Sequence, residues 1–315
     1  MADQRRGGIG WCTHTVNPIR ARLNGKIGHH CVKVSDGCTN CYASKLQPRF
    51  GLPPFEVGKR AGVEPFFDEK PLREVLRRKA PSRFFWCDMS DLFGEWVSDD
   101  WIDRCFAVMA LTPQHTYQVL TKRPERMRDY MAEPGRAGAV AAETGSGVNG
   151  DRDWPFIRPD DLGARWPLPS VWLGVSVEDQ RRAEERIPIL LNTPAAVHFL
   201  SVEPLLAPVD LRSWLPRRCG CTEQYKGRDC PACHGTGHIR FAGEVLLSWV
   251  IVGGESGPHR RPMELRWLTD IVEQCQAAGV PCYCKQDSAH RPGQQGRIPD
   301  GVWAVKEFPD EPSRA

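Results

Sequence analysis

The chain has 315 residues, of which 41% are hydrophobic, so it can bury a full core as one large α/β domain or two ordinary ones. It contains no run of 18 apolar residues and no apolar signal core near its start, which excludes a membrane-spanning helix. These features predict a cytoplasmic protein without a membrane partner. A formal charge of +3 is too small to indicate a nucleic-acid-binding protein by itself.

Three cysteines near the N-terminus, Cys31, Cys38 and Cys41, follow a C-x6-C-x2-C spacing. Three thiolates around one point indicate a metal centre with an open position, because a structural zinc normally has four ligands in matched pairs. A 4Fe-4S cluster held by three cysteines leaves one iron free for a small molecule. The alternatives are unrelated buried thiols or a zinc site whose fourth ligand is His29, His30 or Cys12.

A helix is predicted directly after the motif, over residues 42–50. A helix N-terminus favours thiolate, so we expect lowered thiol pKa values there. Most of the 13 cysteines of the chain lie in short groups in which the cysteines are separated by only a few residues. Such grouping is typical of metal ligands in a reducing compartment and argues against disulfides.

The rest of the chain repeats one unit, in which an apolar strand ends in a polar cluster and a helical pattern follows. Strands are predicted at 10–16, 83–87, 116–120, 171–175, 197–200, 249–252 and 280–284. Helices are predicted over 99–111, 124–131, 180–191 and 264–278. Apolar strands that alternate with helices indicate a parallel sheet buried on both faces. The sequence therefore predicts an α/β fold, a complete or partial (β/α) barrel of the TIM type.

In a β/α barrel the working residues lie at the C-terminal ends of the strands. Polar residues occupy that position throughout this chain: Asp88, Asp91, Lys122, Ser176, Glu178, Ser201, Glu203, Glu255 and Lys285. Helix capping is the alternative for any one of them. Capping alone does not explain why the pattern recurs at seven strand ends.

Two insertions interrupt what we predict to be a single domain over residues 1–315. Residues 134–168 are rich in Gly, Ala, Pro and Asp, which predicts a flexible loop. Residues 216–240 contain two ligand pairs typical of a zinc knuckle, with His234 and His238 as spare ligands. The pairs are Cys219, Cys221, Cys230 and Cys233. Zinc would stabilise an insertion too small for its own core, or alternatively present it to a partner.

Five segments together resemble a phage-associated family of unknown function, the phage Gp37/Gp68-like family. They are the cysteine motif with Tyr42-Ala43, and residues 89–93, 118–124, 201–205 and 252–257. The resemblance covers nearly the whole chain apart from the two insertions. It implies a barrel similar to that of radical S-adenosylmethionine enzymes, in which the cysteines hold a 4Fe-4S cluster, and it leaves the substrate open.

The chain departs from the usual pattern of those enzymes at two places. Their cysteine spacing is C-x3-C-x2-C, whereas the first gap here is six residues. Their Gly-Gly-Glu motif follows the second strand, whereas Gly253-Gly254-Glu255 lies near the end of this chain. By position, residues 88–91 are the candidates for binding the methionine amino group, and the late motif is expected to face the substrate.

The resemblance implies that the reduced cluster cleaves S-adenosylmethionine to a 5'-deoxyadenosyl radical, which takes a hydrogen atom from the substrate. Strand order then predicts residues that bind the cofactor: Asp88, Ser90, Asp91, Ser176, Glu178 and Ser201. The residues predicted to be catalytic are Lys122, Glu203, Glu255 and Lys285. The cofactors expected are the cluster, S-adenosylmethionine and Zn²⁺.

The expected substrate is a nucleic acid or nucleotide that is modified or repaired, and the expected electron donor is a flavodoxin or ferredoxin. Local basic pairs could contact phosphate, with solvated surface charge as the alternative: Lys122-Arg123, Arg181-Arg182, Arg217-Arg218 and Arg260-Arg261. Two other functions stay open. One is a metal-dependent hydrolase that uses Asp88, Asp91, Glu178, Glu203 and Glu255. The other is a non-catalytic zinc protein that binds nucleic acid.

Overall fold

The computed structural model describes residues 1–3, 8–58, 60–146, 155–221, 230, 233, 238–239 and 244–310. The fold is α/β, with seven parallel strands in a partial barrel of the TIM type, as the strand pattern predicts. The chain divides into two compact units. Unit 1 contains residues 1–176 and 193–197, and unit 2 contains residues 177–192 and 198–310. None of the described helices is long and apolar enough to cross a membrane.

Unit 1 is built on a sheet with the strand order β1–β2–β6–β7–β8. Its strands are β1 (Ala2–Asp3), β2 (His14–Val16), β3 (Ile19–Leu23), β4 (Lys26–Gly28), β5 (Glu64–Phe67), β6 (Arg83–Trp86), β7 (Thr116–Thr121) and β8 (Val171–Val177), the last residue of which belongs to unit 2. Its helices are α1 (Tyr42–Leu46), α2 (Lys70–Arg77), α3 (Asp99–Leu111), α4 (Pro124–Ala132), α5 (Arg136–Ser146) and α6 (Pro159–Gly163).

The main sheet of unit 1 is parallel from β2 to β8, and β1 is antiparallel to β2. Phe84 of β6 pairs with His14 on one side and Tyr117 on the other. Trp86 and Tyr117 are fully buried. Apolar residues therefore cover both faces of these strands, which explains why the strands are apolar along their length.

A second, antiparallel sheet with the order β4–β3–β5 precedes and follows the cysteine motif. The strands of this sheet are not among those predicted from the sequence. The turn between β3 and β4 is Asn24-Gly25, and both residues have positive φ angles, 47° and 75°. Asn-Gly is the preferred pair for such a two-residue hairpin turn. Ile19 and Ala21 are fully buried on the same face of β3, so the hairpin also contributes to the core.

Helix α5 forms within residues 134–168, where the sequence analysis expects a flexible loop. The guanidinium group of Arg136 explains this difference. It is buried and forms ion pairs with Asp99 at 2.8 Å and Asp103 at 3.1 Å, both from α3. The alanines of the segment have high helix propensity, and Val140 and Ala141 are fully buried, so apolar packing adds to these ion pairs in stabilising the helix. Helix α6 follows after residues 147–154, which lie outside the described part of the chain.

Unit 2 contains the parallel strand order β9–β12–β13 and a separate hairpin of β10 and β11. Its strands are β9 (Val197–Val202), whose first residue belongs to unit 1, β10 (Arg217–Arg218), β11 (His238–Ile239), β12 (Trp249–Gly253) and β13 (Cys282–Gln286). Its helices are α7 (Gln180–Leu191), α8 (Leu265–Ala278) and α9 (Asp300–Trp303). The side chain of Asp179 caps α7 by accepting a hydrogen bond from the Arg182 amide at 2.8 Å.

Candidate metal centres and strand ends

The loop after β4 carries the three N-terminal cysteines of unit 1. A short 3-10 helix, Asp36–Cys38, folds the loop back, and the Cys41 amide donates to the Cys38 carbonyl at 3.4 Å. Helix α1 begins directly after Cys41. Cys31 and Cys41 both pack against the buried cluster of Ala43, Phe55 and Met89. The loop therefore gathers its thiols at one place on unit 1.

Burial of the sulfur atoms is the largest influence on the pKa values of Cys31 and Cys41. It raises the pKa of Cys31, where the carboxylate of Asp91 adds to the effect. Burial also raises the pKa of Cys41, although a hydrogen bond from the Ser44 amide and the charge of Lys122 oppose the rise. The helix N-terminus thus lowers the pKa of Cys41 as predicted, but burial outweighs this effect. Metal binding at this loop must release protons.

Sulfur spacing distinguishes the two groups of cysteines. A tetrahedral zinc with Zn–S bonds of about 2.3 Å places its sulfur ligands about 3.8 Å apart. The four cysteines of unit 2 match that spacing, since their ligand atoms all lie within 4.8 Å of one another. Within the described residues, Cys31, Cys38 and Cys41 do not form a second group as tight as this. Thiolates that bind different irons of one cluster lie further apart than ligands of a single ion.

The four-cysteine group lies beside the β10–β11 hairpin, in which Arg218 pairs with His238. The Cys219 and Cys230 sulfur atoms are 3.8 Å apart, and so are those of Cys221 and Cys233. These four residues could hold a metal ion. The predicted spare ligand His234 lies outside the described residues.

Arg123 connects the end of β7 to the cysteine loop of unit 1. Its guanidinium group donates to the Asp91 carboxylate at 2.9 Å and to the Val32 carbonyl, next to Cys31, at 3.1 Å. It also pairs with Glu95 at 3.0 Å and lies over the Trp96 ring at 4.7 Å. Only 6% of the Arg123 side chain is exposed. We call these contacts the Arg123 network.

Asp91 uses both carboxylate oxygens within this network. One accepts from the Thr121 hydroxyl at 2.7 Å and the Phe93 amide at 3.0 Å. The other accepts from Arg123 and from the Lys122 amide at 3.2 Å. Asp91 therefore positions the ends of β6 and β7. Ser90, next to it, donates its hydroxyl hydrogen to the His30 carbonyl at 2.7 Å.

Asp88 lies between the end of β6 and the start of α1. Its carboxylate accepts from the Asn17 amide at 2.6 Å and from the Tyr42 hydroxyl at 3.3 Å. Burial raises its pKa, and these hydrogen bonds oppose the rise without cancelling it. The preceding residue, Cys87, has a φ angle of 61°, which is unusual for a residue with a side chain. Backbone strain of this kind concentrates at functional sites.

Lys122 points its ammonium group toward the cysteine loop. It donates to the Ser176 hydroxyl at 2.8 Å, and its charge acts on the thiol of Cys41. Ser176 lies within β8 and not in the following loop, because β8 extends to Val177. These two predicted site residues of unit 1 are therefore in contact with each other, and Lys122 is close enough to Cys41 for its charge to act on that thiol.

The strand ends of unit 2 carry ion pairs. Each predicted carboxylate has a cationic partner: Glu178 with Arg186 at 3.1 Å, Glu203 with Lys285 at 2.6 Å, and Glu255 with Arg261 at 2.6 Å. Glu178 is completely buried, so this carboxylate is a structural group. Ser201 lies inside β9, opposite Ile251 of β12. The pair between Glu203 and Lys285 joins the ends of β9 and β13.

The positions of the described residues give no support to a hydrolase metal site or to a zinc site completed by His29 or His30. Among the described residues, the carboxylates expected for a hydrolase form no group of three within 4.8 Å. Of the histidines considered as a fourth zinc ligand, His30 has its Nδ1 atom 3.0 Å from Arg60. Burial, then Arg60 and Arg123, lowers the pKa of His30 to about 4. Burial and then Arg20 lower the pKa of His29 to about 3.

Sequence reasoning did not assign site roles to several residues that hold the cysteine loop in place. Arg123 is named there as half of a basic pair and lies in one of the family segments, and Tyr42 is named as part of the family motif. Asn17 and Arg60 have no role in it at all. The signals available are the position of Arg123 one residue after a strand end and of Tyr42 one residue after a cysteine. The contacts of Asn17 and Arg60 span more than 25 residues and leave no local pattern.

Comparison with known proteins places most of the chain in one family. Residues 6–307 match the model of DUF5131, described as a protein of unknown function. The chain therefore belongs to this family, the phage Gp37/Gp68-like family that the sequence motifs indicate. No curated protein and no solved structure matches the chain.

Proposed function

We propose that this member of the DUF5131 family is an iron-sulfur enzyme that uses S-adenosylmethionine. Cys31, Cys38 and Cys41 are the ligands of its 4Fe-4S cluster. The observation that carries this proposal is the contrast between the two cysteine groups of one chain. One group has the spacing of a single zinc ion, and the other does not. A parallel partial barrel with polar strand ends is the architecture expected for such chemistry.

The residues around the loop fit a cluster that is anionic. Its thiolates and sulfides together carry more negative charge than the irons neutralise, so nearby cations stabilise the assembly. Lys122 and Arg123 provide fixed positive charge, and both act on the thiols. When bound, the cluster supplies the electron that cleaves S-adenosylmethionine reductively. Arg123 holds the loop at Val32, and Lys122 orients the Ser176 hydroxyl.

The substrate that we propose is a nucleic acid or a nucleotide. The support is the phage-associated family together with Arg217 and Arg218, which form β10 beside the four-cysteine group. A protein that neutralises phosphates releases counterions, so its affinity falls as salt rises. Fluorescence anisotropy with labelled DNA and RNA at several salt concentrations tests this point. If neither nucleic acid binds at any salt concentration, nucleic acid is excluded as the substrate, and a free nucleotide remains as the proposed substrate.

Metal analysis of matched cysteine variants tests the cofactor assignment. Anaerobically reconstituted wild-type protein should contain about four irons and one zinc per chain. Cys38→Ala should lose the iron and keep the zinc, while Cys221→Ala should lose the zinc and keep the iron. Loss of both metals from Cys38→Ala, with normal circular dichroism, would mean that the two cysteine groups serve a common site.

A further inference from the structure

The loop that carries the candidate cluster ligands also exposes apolar side chains. The described part of the chain has eight large exposed apolar residues, and five of them fall within residues 27–57: Ile27, Val34, Tyr42, Phe50 and Val57. Val57 is 84% exposed and Ile27 is 45% exposed. Isolated exposed apolar residues need no explanation, whereas a concentration of them indicates an interaction surface.

Backbone contacts hold the segments that carry these residues side by side. Val32 forms a parallel bridge with Glu56, and the Lys33 amide donates to the Glu56 carbonyl at 2.9 Å. This places the strands that lead to Val34 and Val57 next to each other. At the other side of the loop, a Cβ atom on Gly28 would lie 3.1 Å from Phe50. The backbone of β4 at Gly28 therefore passes close to Phe50.

The same region concentrates the positive charge of the protein. Residues 19–58 contain six Lys or Arg and two Asp or Glu, whereas the whole chain has a formal charge of +3. The rest of the chain is therefore close to neutral. Four of these basic residues have exposed side chains: Arg22, Lys26, Lys45 and Arg49. We call residues 19–58 the cysteine-loop surface.

We propose that the cysteine-loop surface is the docking site of an acidic electron-transfer protein that reduces the cluster; this inference rests on the proposed function. One electron passes from the reduced flavin or iron centre of the donor to the oxidised cluster, so the donor is oxidised by one electron. Complementary charge steers such encounters, and interfaces of this class are small. The exposed aliphatic residues Ile27, Val34 and Val57 favour a protein over a nucleic acid, which binds to aromatic and basic groups.

A comparison of two reductants tests the docking site. Cleavage of S-adenosylmethionine is measured with reduced flavodoxin, an acidic flavoprotein, and separately with dithionite, a small reductant that needs no docking surface. The variants are Lys45→Glu/Arg49→Glu and, for the apolar part, Val57→Asp. The matched control is Arg77→Glu/Lys79→Glu, which changes the net charge equally at exposed residues outside the surface. Iron content and circular dichroism check that each variant folds and binds metal.

The ratio of the flavodoxin-supported rate to the dithionite-supported rate should fall about tenfold or more in the surface variants at low salt and stay within about twofold in the control. Raising the salt concentration should reduce the difference, because salt screens exposed charges. An equal ratio in all proteins would overturn the docking site while leaving the proposed function intact. Absence of cleavage with dithionite in the wild-type protein would instead overturn the proposed function. If single-stranded DNA competed for binding to the cysteine-loop surface and flavodoxin did not, the surface would be assigned to nucleic acid and the inference would be contradicted.

Discussion

Arg123 is the side chain on which the arrangement of the cysteine loop depends most. It is buried, it contacts the carbonyl group next to Cys31, and its charge is balanced by Asp91. The pKa of Arg123 is raised, because Asp91, Cys31 and Glu95 together outweigh the effect of burial. A buried ion pair that has lost one partner is costly, since the remaining charge is left in a poorly solvated place.

Asp91→Asn should therefore destabilise the protein by about 3 kcal/mol, because it leaves the buried guanidinium group of Arg123 without its main counter-charge. Urea unfolding followed by circular dichroism measures the loss. Glu95→Gln is the matched control, since 70% of the Glu95 side chain is exposed. Exposed ion pairs contribute up to about 1 kcal/mol. Equal effects of the two substitutions would mean that the Arg123 network does not depend on burial.

Asp287 gives a prediction for the dependence of stability on pH. Burial opposes its ionisation, but hydrogen bonds from Arg297 and from the Ser288 amide outweigh burial and lower its pKa below 3.8. The ionised carboxylate therefore contributes stability above about pH 4 that is lost as the pH falls through the lowered pKa. Asp287→Asn should cost about 2 kcal/mol at neutral pH and flatten the decline below pH 4.

The measurement is the free energy of unfolding of wild type and variant between neutral pH and about pH 3. Asp310→Asn, at an exposed residue near the end of the described chain, is the control. A decline in stability that is equally steep with and without the Asp287 carboxylate would show that this group is not linked to acid unfolding.

At the scale of elements, the close approach of β12 to the end of β13 depends on Gly254. A Cβ atom at this position would lie 2.5 Å from the Ser288 amide and 2.6 Å from its hydroxyl oxygen. The amide and carbonyl of Gly254 bond to Gln286 at 2.9 and 2.7 Å, so the backbone has little freedom to move away. This explains the Gly-Gly pair after β12 as a packing requirement.

Gly254→Ala should destabilise unit 2 by about 1 to 3 kcal/mol, since the added methyl group meets backbone atoms of Asp287 and Ser288 as well as the Ser288 hydroxyl oxygen. Gly163→Ala in α6 is the matched control, because nothing lies within 4 Å of the place its methyl group would take and alanine favours helix. It should be neutral or slightly stabilising. Thermal unfolding of both variants measures the difference, and a neutral Gly254→Ala would contradict the packing explanation.

Elements with a strong period are predictable from this sequence, and short elements are not. Helix α3 spans the predicted residues 99–111, and all seven predicted strands are present within a few residues. Helix α2 and the hairpin of β3 and β4 escape prediction. Each is short, and its stability comes from tertiary packing and one turn, which leave little periodic signal. The Asn24-Gly25 pair is the local sequence signal that indicates this hairpin.

At the scale of the whole molecule, residue type was a better guide to the cysteine groups than to the charged residues. Cysteine spacing identified the four-residue group that converges in the structure. Glu178, Glu255 and Lys122 were all predicted as site residues because each follows a strand. In the structure, however, Glu178 forms an ion pair with Arg186, and Glu255 forms one with Arg261. A sequence position does not specify which partner a charge will find, because such partners come from other elements.

The proposed function assigns a metal centre of a different kind to each of the two units. The cysteines of unit 1 belong to a loop with nearby cations, and those of unit 2 form a tight group beside a two-stranded hairpin. A cluster with an open iron supports chemistry, whereas a four-thiolate zinc stabilises its surroundings. The difference in ligand spacing is the physical basis for assigning them separately.

The most direct test is electron paramagnetic resonance of the reduced, reconstituted protein, recorded with and without S-adenosylmethionine. We expect the signal of a reduced 4Fe-4S cluster whose shape changes when S-adenosylmethionine binds the open iron, with Cys38→Ala lacking the signal. A protein with two zinc ions, no iron and no such signal would contradict the account and make both cysteine groups structural zinc sites.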